Sequence, residues 1–232
     1  MAKPLTESLQ KGIYIFSAFP SQVLAAFSNR QFDAATDLRF FLKSIGTDPQ
    51  RFFTIRQVHG NRVIQAGAPE TSGEVEADGM VTQERQLALV IRTADCFPVY
   101  FYDPDHSAVG LAHVGWRGAQ KGIIHKTVQM FHTYFGSLAS RLQVALGPAI
   151  RESCYEVGEE FYQYFPDWMN KVKGKNLFDF TGAVKQQLAD EGIPESSVTD
   201  SGFCTACDTK KFFSARREGQ MTGRFLSAIM IK

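Results

Sequence analysis

Short apolar runs rich in β-branched and aromatic residues recur along this chain and restrict its fold more than any other feature. They fall at positions 13–19, 52–55, 87–91, 99–102, 108–113, 142–146, 212–215 and 225–231. Their brevity and their Gly, Pro or Asp boundaries predict strands. Three stripes have helical spacing instead. Leu38, Phe41, Leu42 and Ile45 stop at Gly46; Ile124, Val128, Phe131 and Phe135 stop at Gly136; Leu177, Phe180, Val184 and Leu188 end before Gly192. Each predicts an amphipathic helix packed on sheet, ended by a glycine that can take the left-handed conformation. The strands are too irregularly spaced among these helices for a doubly wound parallel sheet. The expected fold is α+β, or mixed α/β: a single domain over 1–232 with one large mixed β-sheet flanked by helices.

With 232 residues the chain can bury a sizeable core without cross-links. Lys and Arg total 25 against 24 for Asp and Glu, so the net charge of +1 offers no field to hold a polyanion or an anionic membrane. Nucleic acid is therefore not expected as a partner. No run is long and apolar enough to span a bilayer, and the start "MAKPLTESLQKGIYIF" lacks a secretory pattern. A cytoplasmic setting is expected, in which the four cysteines are thiols. The polar segment 67–79, "GAPETSGEVEADG", is expected to be an exposed loop.

Any metal or thiol chemistry must come from five histidines and four cysteines. His125, Gln129 and His132 share the polar face of a predicted helix, and His106 lies in the turn-like "DPDHSA", so solvated roles are expected for them. His59 in "RQVHGNRV", Cys96 in "TADCFPVYFYD" and His113 in "AVGLAHVGWRG" instead sit at the tips of three predicted strands. Two imidazoles and one thiolate suit zinc, and three ligands leave a fourth position for water. The competing reading is a core histidine and an inert buried thiol. Pro98 lacks a ladder N–H, so the chain is expected to bend there and present Cys96. Asp95 would then act directly at the site, orient a ligand, or fix the loop. "CTAC" has no second pair at ribbon spacing, and Cys204 is expected to line a pocket rather than join a metal cluster. Arg117 in "GWRG" and Arg216 in "FFSARREG" are candidate anion donors, as is Arg224 in "TGR"; Arg217 is expected at the surface.

In order, "RQVHG", "EADGMVT", "TADCFPVYFYD", "LAHVGWRG", "LGPAIRESCYEVG" and "FFSARREGQMTGR" resemble the zinc-dependent bacterial purine nucleoside phosphorylases. That family was formerly described as polyphenol oxidase or laccase-domain proteins, and includes peptidoglycan editing factors. The resemblance implies a metal held by His59, Cys96 and His113, with Zn2+ expected ahead of Cu2+. It also implies phosphorolysis of adenosine, inosine and methylthioadenosine, together with adenosine deamination. Purine nucleosides and phosphate are then the small-molecule partners of a monomer or homodimer. His59, Cys96, His113, Asp95 and Arg117 are the expected catalytic residues, and Arg216, Arg56 and Cys204 the expected substrate or phosphate contacts. Ala215 stands where the family often has an aromatic residue, which removes a stacking face there. Two rivals are a cysteine amidase using Cys96 and His113, and a copper polyphenol oxidase. The latter needs many more imidazoles than His106, His125 and His132 supply.

Overall fold

A computed structural model describes residues 5–7, 12–67 and 73–232. In chain order its strands begin with β1 (Leu5–Glu7), β2 (Ile13–Phe16), β3 (Val23–Ser28), β4 (Phe52–Thr54) and β5 (Val63–Gln65). Next come β6 (Gly79–Thr82), β7 (Ala88–Thr93), β8 (Phe97–Asp103), β9 (Ala108–Val114) and β10 (Gln143–Leu146). The last are β11 (Met169–Val172), β12 (Lys175–Phe178), β13 (Val198–Asp200) and β14 (Phe225–Ile231). The helices are α1 (Leu38–Ser44), α2 (Trp116–Gln120), α3 (Ile123–Phe135), α4 (Phe161–Tyr164), α5 (Phe180–Asp190) and α6 (Ala215–Glu218).

The mixed α/β class is as expected, but the single large sheet is not. Among the described residues the strands form two six-stranded sheets, ordered β1-β2-β3-β14-β7-β4 and β13-β10-β8-β9-β6-β5, plus the ribbon β11-β12. The sheets pack face to face over one shared core that joins Phe27, Ile91 and Phe225 to Tyr100, Tyr102 and Leu111. Each outer face is covered in turn. Phe41 and Leu42 of α1, with Ile45 just after it, sit on Leu24, Val90 and Ala228 of the first sheet. Residues of α3 and α5, including Ile124, Phe131 and Val184, sit on Phe97, Val99 and Phe101 of the second. Central strands thus have both faces buried, as β8 does throughout. That burial explains why their sequences read as continuous apolar runs rather than alternating ones.

Sheet assignment depends on long-range pairing that no local run encodes. β7 pairs with β14 and β4 in the first sheet, whereas β8, only a few residues later, pairs with β9 and β10 in the second. The link 94–96 is therefore where the chain crosses between sheets. It turns at Asp95, whose φ of 89° is left-handed and uncommon for a residue with a Cβ. Pro98 does not make the bend. It lies in register opposite His113 inside β8, and its carbonyl accepts from Gly147 N–H beyond the end of β10.

Two further expectations change. Leu177 belongs to β12, and α5 starts at Phe180, where the Asp179 carboxylate accepts from Gly182 N–H. The apolar run 212–215 forms no strand: Ser214 accepts from Arg217 N–H and opens α6. Of the expected loop 67–79, residues 68–72 lie outside the described residues, and Ala77, Asp78 and Gly79 are buried rather than exposed. No helix among the described residues is long and apolar enough to cross a membrane.

Candidate metal centre and its cavity

His59 follows β4, Cys96 closes the link between the sheets, and His113 lies near the end of β9. Their ligand atoms all fall within 4.8 Å of one another. The strand-tip triad is thus assembled at the mouth between the two sheets, with His113 buried, Cys96 half-buried and His59 exposed.

Sequence reasoning missed the residue that holds it together. Asp78, fully buried just before β6, accepts from His113 Nδ1 at 2.8 Å through Oδ1. The same carboxylate accepts backbone N–H bonds from Val58 at 3.2 Å, His59 at 3.0 Å and Gly60 at 2.6 Å. One carboxylate therefore fixes the His113 ring and the left-handed turn at His59, whose φ is 57°. Because the carboxylate only accepts, Nδ1 carries the proton and Nε2 is left as the ligand atom. The available signal was an acid inside "EADGMVT", directly against the glycine that begins β6. Burial pushes the Asp78 carboxyl upward, but His113 and the Gly60 and Val58 amides outweigh it and hold it below the usual carboxylate value.

Gly115 permits the close packing around this set. A Cβ there would stand 2.9 Å from Cys96 Sγ and 3.2 Å from His59 Cδ2. Without a bound cation, burial pushes the Cys96 thiol up, yet the charge and hydrogen bonds of His113 and His59 bring it down to about 6. For His113, burial pulls down while the Cys96 thiolate and Asp78 push up, to about 9. The donor set thus stabilises a thiolate beside cationic nitrogen, the charge pattern that a divalent cation can replace.

His59, Cys96 and His113 line a cavity of about 920 Å³. Its walls include Arg56, Arg92, Arg117, Arg216 and Arg224 together with Trp116, Tyr155 and Phe180. The Arg117 guanidinium lies 4.2 Å from the Trp116 ring centroid, and that of Arg216 lies 5.2 Å from Tyr155. Arg56 pairs with Glu76 at 2.7 Å on the exposed rim. Thr93 also lines the cavity, and its buried hydroxyl has no hydrogen-bond partner among the described residues.

Asp95 lines the cavity but is committed to the chain around it. It accepts from Thr205 Oγ1 at 2.6 Å, Ser214 Oγ at 3.1 Å and Arg216 N–H at 2.7 Å. Among the roles open to it, fixing the loop is the one its bonds describe. Arg216 is further positioned by donating from Nη1 to the Glu156 carbonyl. Cys204 is a correction: it does not line the cavity but lies beside Cys154 and Cys207. Arg217 is no loose surface group either, because it donates to the carbonyls of Thr205, Ala206 and Phe212 at 2.7–2.8 Å. The remaining histidines take side roles as expected, His106 on Asp103, His125 on Glu191 and His132 on the Ser137 carbonyl.

Two packed sheets with a His-Cys-His set at their mouth that could hold a metal ion define a cavity-bearing α/β domain. Residues 26–232 match the family model described as multi-copper polyphenol oxidoreductase laccase, and the chain belongs to that family. It is 36% identical over 163 residues to a purine nucleoside phosphorylase of Bacteroides thetaiotaomicron, a match covering 66% of this chain and 60% of that protein. It is 34% identical over 197 residues to the purine nucleoside phosphorylase YlmD of Geobacillus stearothermophilus, covering 78% of this chain and 72% of that one. The crystal structure of YlmD superposes with a TM-score of 0.91 at 25% identity over the full length of both chains. The adenosine deaminase RL5, from an unknown prokaryotic organism, is 31% identical over 205 residues, 81% of this chain and 78% of its own.

Proposed function

We propose that the protein is a zinc-dependent purine nucleoside phosphorylase that also deaminates adenosine. One observation carries the reading: a His-Cys-His donor set lines the same cavity as several arginines and aromatic rings. The relatives named for phosphorolysis and deamination support it. The donor set fits zinc, with one thiolate, two imidazoles and a carboxylate behind one of them. The copper reading lacks imidazoles, since His106, His125 and His132 are engaged elsewhere and no second histidine cluster forms among the described residues.

When bound, the cation supplies Lewis acidity at the reacting end of the cavity. Trp116, Tyr155 and Phe180 offer flat apolar faces for a purine, replacing the aromatic residue absent at Ala215. Arg117 and Arg216, with Arg56 at the rim, offer fork-shaped donors for phosphate or ribose oxygens. Asp95 keeps Arg216 aimed by holding its backbone N–H. The core shared by the two sheets supports treating 1–232 as one catalytic domain.

A second reading has a specific observation behind it. With Cys96 lowered to about 6 and His113 raised to about 9, the metal-free site holds a thiolate and an imidazolium side by side, as a cysteine amidase would need. Incubation with adenosine, with and without phosphate and with and without chelator, separates these readings. Adenine formed only with phosphate, and inosine formed without it, both lost on chelation and restored by zinc, are expected. A zinc-loaded protein producing neither rules out the nucleoside assignment. Amide hydrolysis that survives chelation favours the cysteine enzyme, and phenol oxidation at full copper occupancy favours the oxidase.

A further inference from the structure

A second group of soft ligands lies outside the cavity. Cys154 ends a short turn over Glu152–Cys154, while Cys204 and Cys207 bracket the turn that follows a β-bridge between Cys204 and Ala149. All three sulfurs fall within 4.8 Å of one another. Within the Cys-x-x-Cys turn, Cys207 N–H donates to Cys204 Sγ at 3.4 Å. An amide aimed at the first sulfur of such a pair stabilises a thiolate, as second-shell donors do in thiolate metal sites. Ser153 Oγ stands 3.9 Å from both Cys154 Sγ and Cys207 Sγ.

We propose that Cys154, Cys204 and Cys207 form a second zinc site, structural in role and separate from the His59, Cys96 and His113 centre. Three thiolates select a thiophilic cation over magnesium or calcium, and the fourth position falls to the Ser153 hydroxyl or to water. A disulfide would need only two sulfurs, whereas here three converge. Cys154 and Cys207 Sγ are 2.6 Å apart, inside non-bonded contact but beyond the roughly 2.05 Å of a covalent bridge. A tetrahedral ion with about 2.3 Å bonds sets its sulfurs roughly 3.7 Å apart. Cys207 therefore swings outward on binding, which its exposed turn allows.

The ion would tie together two loops that shape the cavity wall. One carries Ile150 and Tyr155, which line it, and the other carries Thr205, which holds Asp95. No cysteine of this group lines the cavity itself. The cation therefore stiffens the wall and takes no part in the reaction.

Zinc titration of metal-free protein under a phosphine reductant, read with a chromophoric chelator, tests this. Two equivalents are expected for the wild type and one each for Cys96→Ser and Cys204→Ser, with none for the double variant. Cobalt in Cys96→Ser should show sulfur-to-metal charge transfer that disappears on adding Cys204→Ser. Cys207→Ser, at the exposed member, repeats the test if Cys204→Ser fails to fold. A wild type binding one equivalent that Cys96→Ser abolishes overturns the proposal, as do two equivalents persisting in both cysteine-cluster variants. A Cys154–Cys207 disulfide that re-forms without reductant, with no second equivalent bound under it, overturns it too. One equivalent kept in Cys96→Ser but lost in Cys204→Ser sinks the other centre and leaves this one standing.

Discussion

Replacing Asp78 by Asn changes little in volume and reverses the polarity of half the group. In the native site Oδ1 accepts from His113 Nδ1 and His59 N–H, and Oδ2 from Val58 and Gly60 N–H. An amide has one acceptor end, so either orientation turns an NH2 toward two existing donors. If it faces the backbone, two N–H groups lose their acceptor, at about 1 kcal/mol or more each. If it faces His113, the ring is driven to the tautomer whose Nε2 carries the proton and cannot bind a cation. Zinc affinity should fall about 10–100-fold, equivalent to roughly 1.4–2.7 kcal/mol. The metal-free protein should lose about 2–3 kcal/mol, a drop in Tm of roughly 4–12 °C for a chain of this size. Competition titration with a zinc chelator and thermal unfolding with and without zinc measure the two separately. Unchanged zinc affinity together with an unchanged Tm in the Asp78→Asn protein would refute the assignment of Asp78 as the group that holds the His113 tautomer and the backbone at 58–60.

Other substitutions probe different parts of the site. Gly115→Ala places a methyl group 2.9 Å from Cys96 Sγ and 3.2 Å from His59 Cδ2, so zinc content after dialysis should drop while secondary structure by circular dichroism is retained. In metal-free protein the Cys96 thiol is lowered to about 6, so the thiolate persists as pH falls from 9 to that point and is lost below it. Iodoacetamide labelling of Cys96 followed by mass spectrometry should therefore show a midpoint near pH 6, and a midpoint near that of an ordinary thiol contradicts the pairing with His113 and His59. Asp95→Ala frees Thr205, Ser214 and the Arg216 backbone at once. It should raise the KM for phosphate more than it lowers bound zinc, as steady-state kinetics and metal analysis can establish.

Much of the layer structure was legible because it is local. The stripes ending at Gly46 and Gly136 became α1 and α3, each followed by its glycine at positive φ, since apolar spacing and a left-handed stop are written in neighbouring residues. The runs at 108–113 and 225–231 became fully buried strands for the same reason. The run 212–215 misled because a few apolar residues fit a strand as well as a loop, and the Ser214 cap that decided the matter depends on one side-chain bond.

The sequence by itself supplied the donor atoms of the candidate metal centre: His59, Cys96 and His113 are residue types able to hold a metal, at the tips of apolar runs. It could not show Asp78 beneath them, because a carboxylate reveals its role only when four donors from distant segments point at it. Nor could it separate one sheet from two, since strand pairing is a choice among partners far apart in sequence. That choice placed Cys96 on the crossing between sheets and joined Cys154 to a "CTAC" turn that looked unpaired. Local chemistry determined what could bind, and long-range burial decided which groups meet.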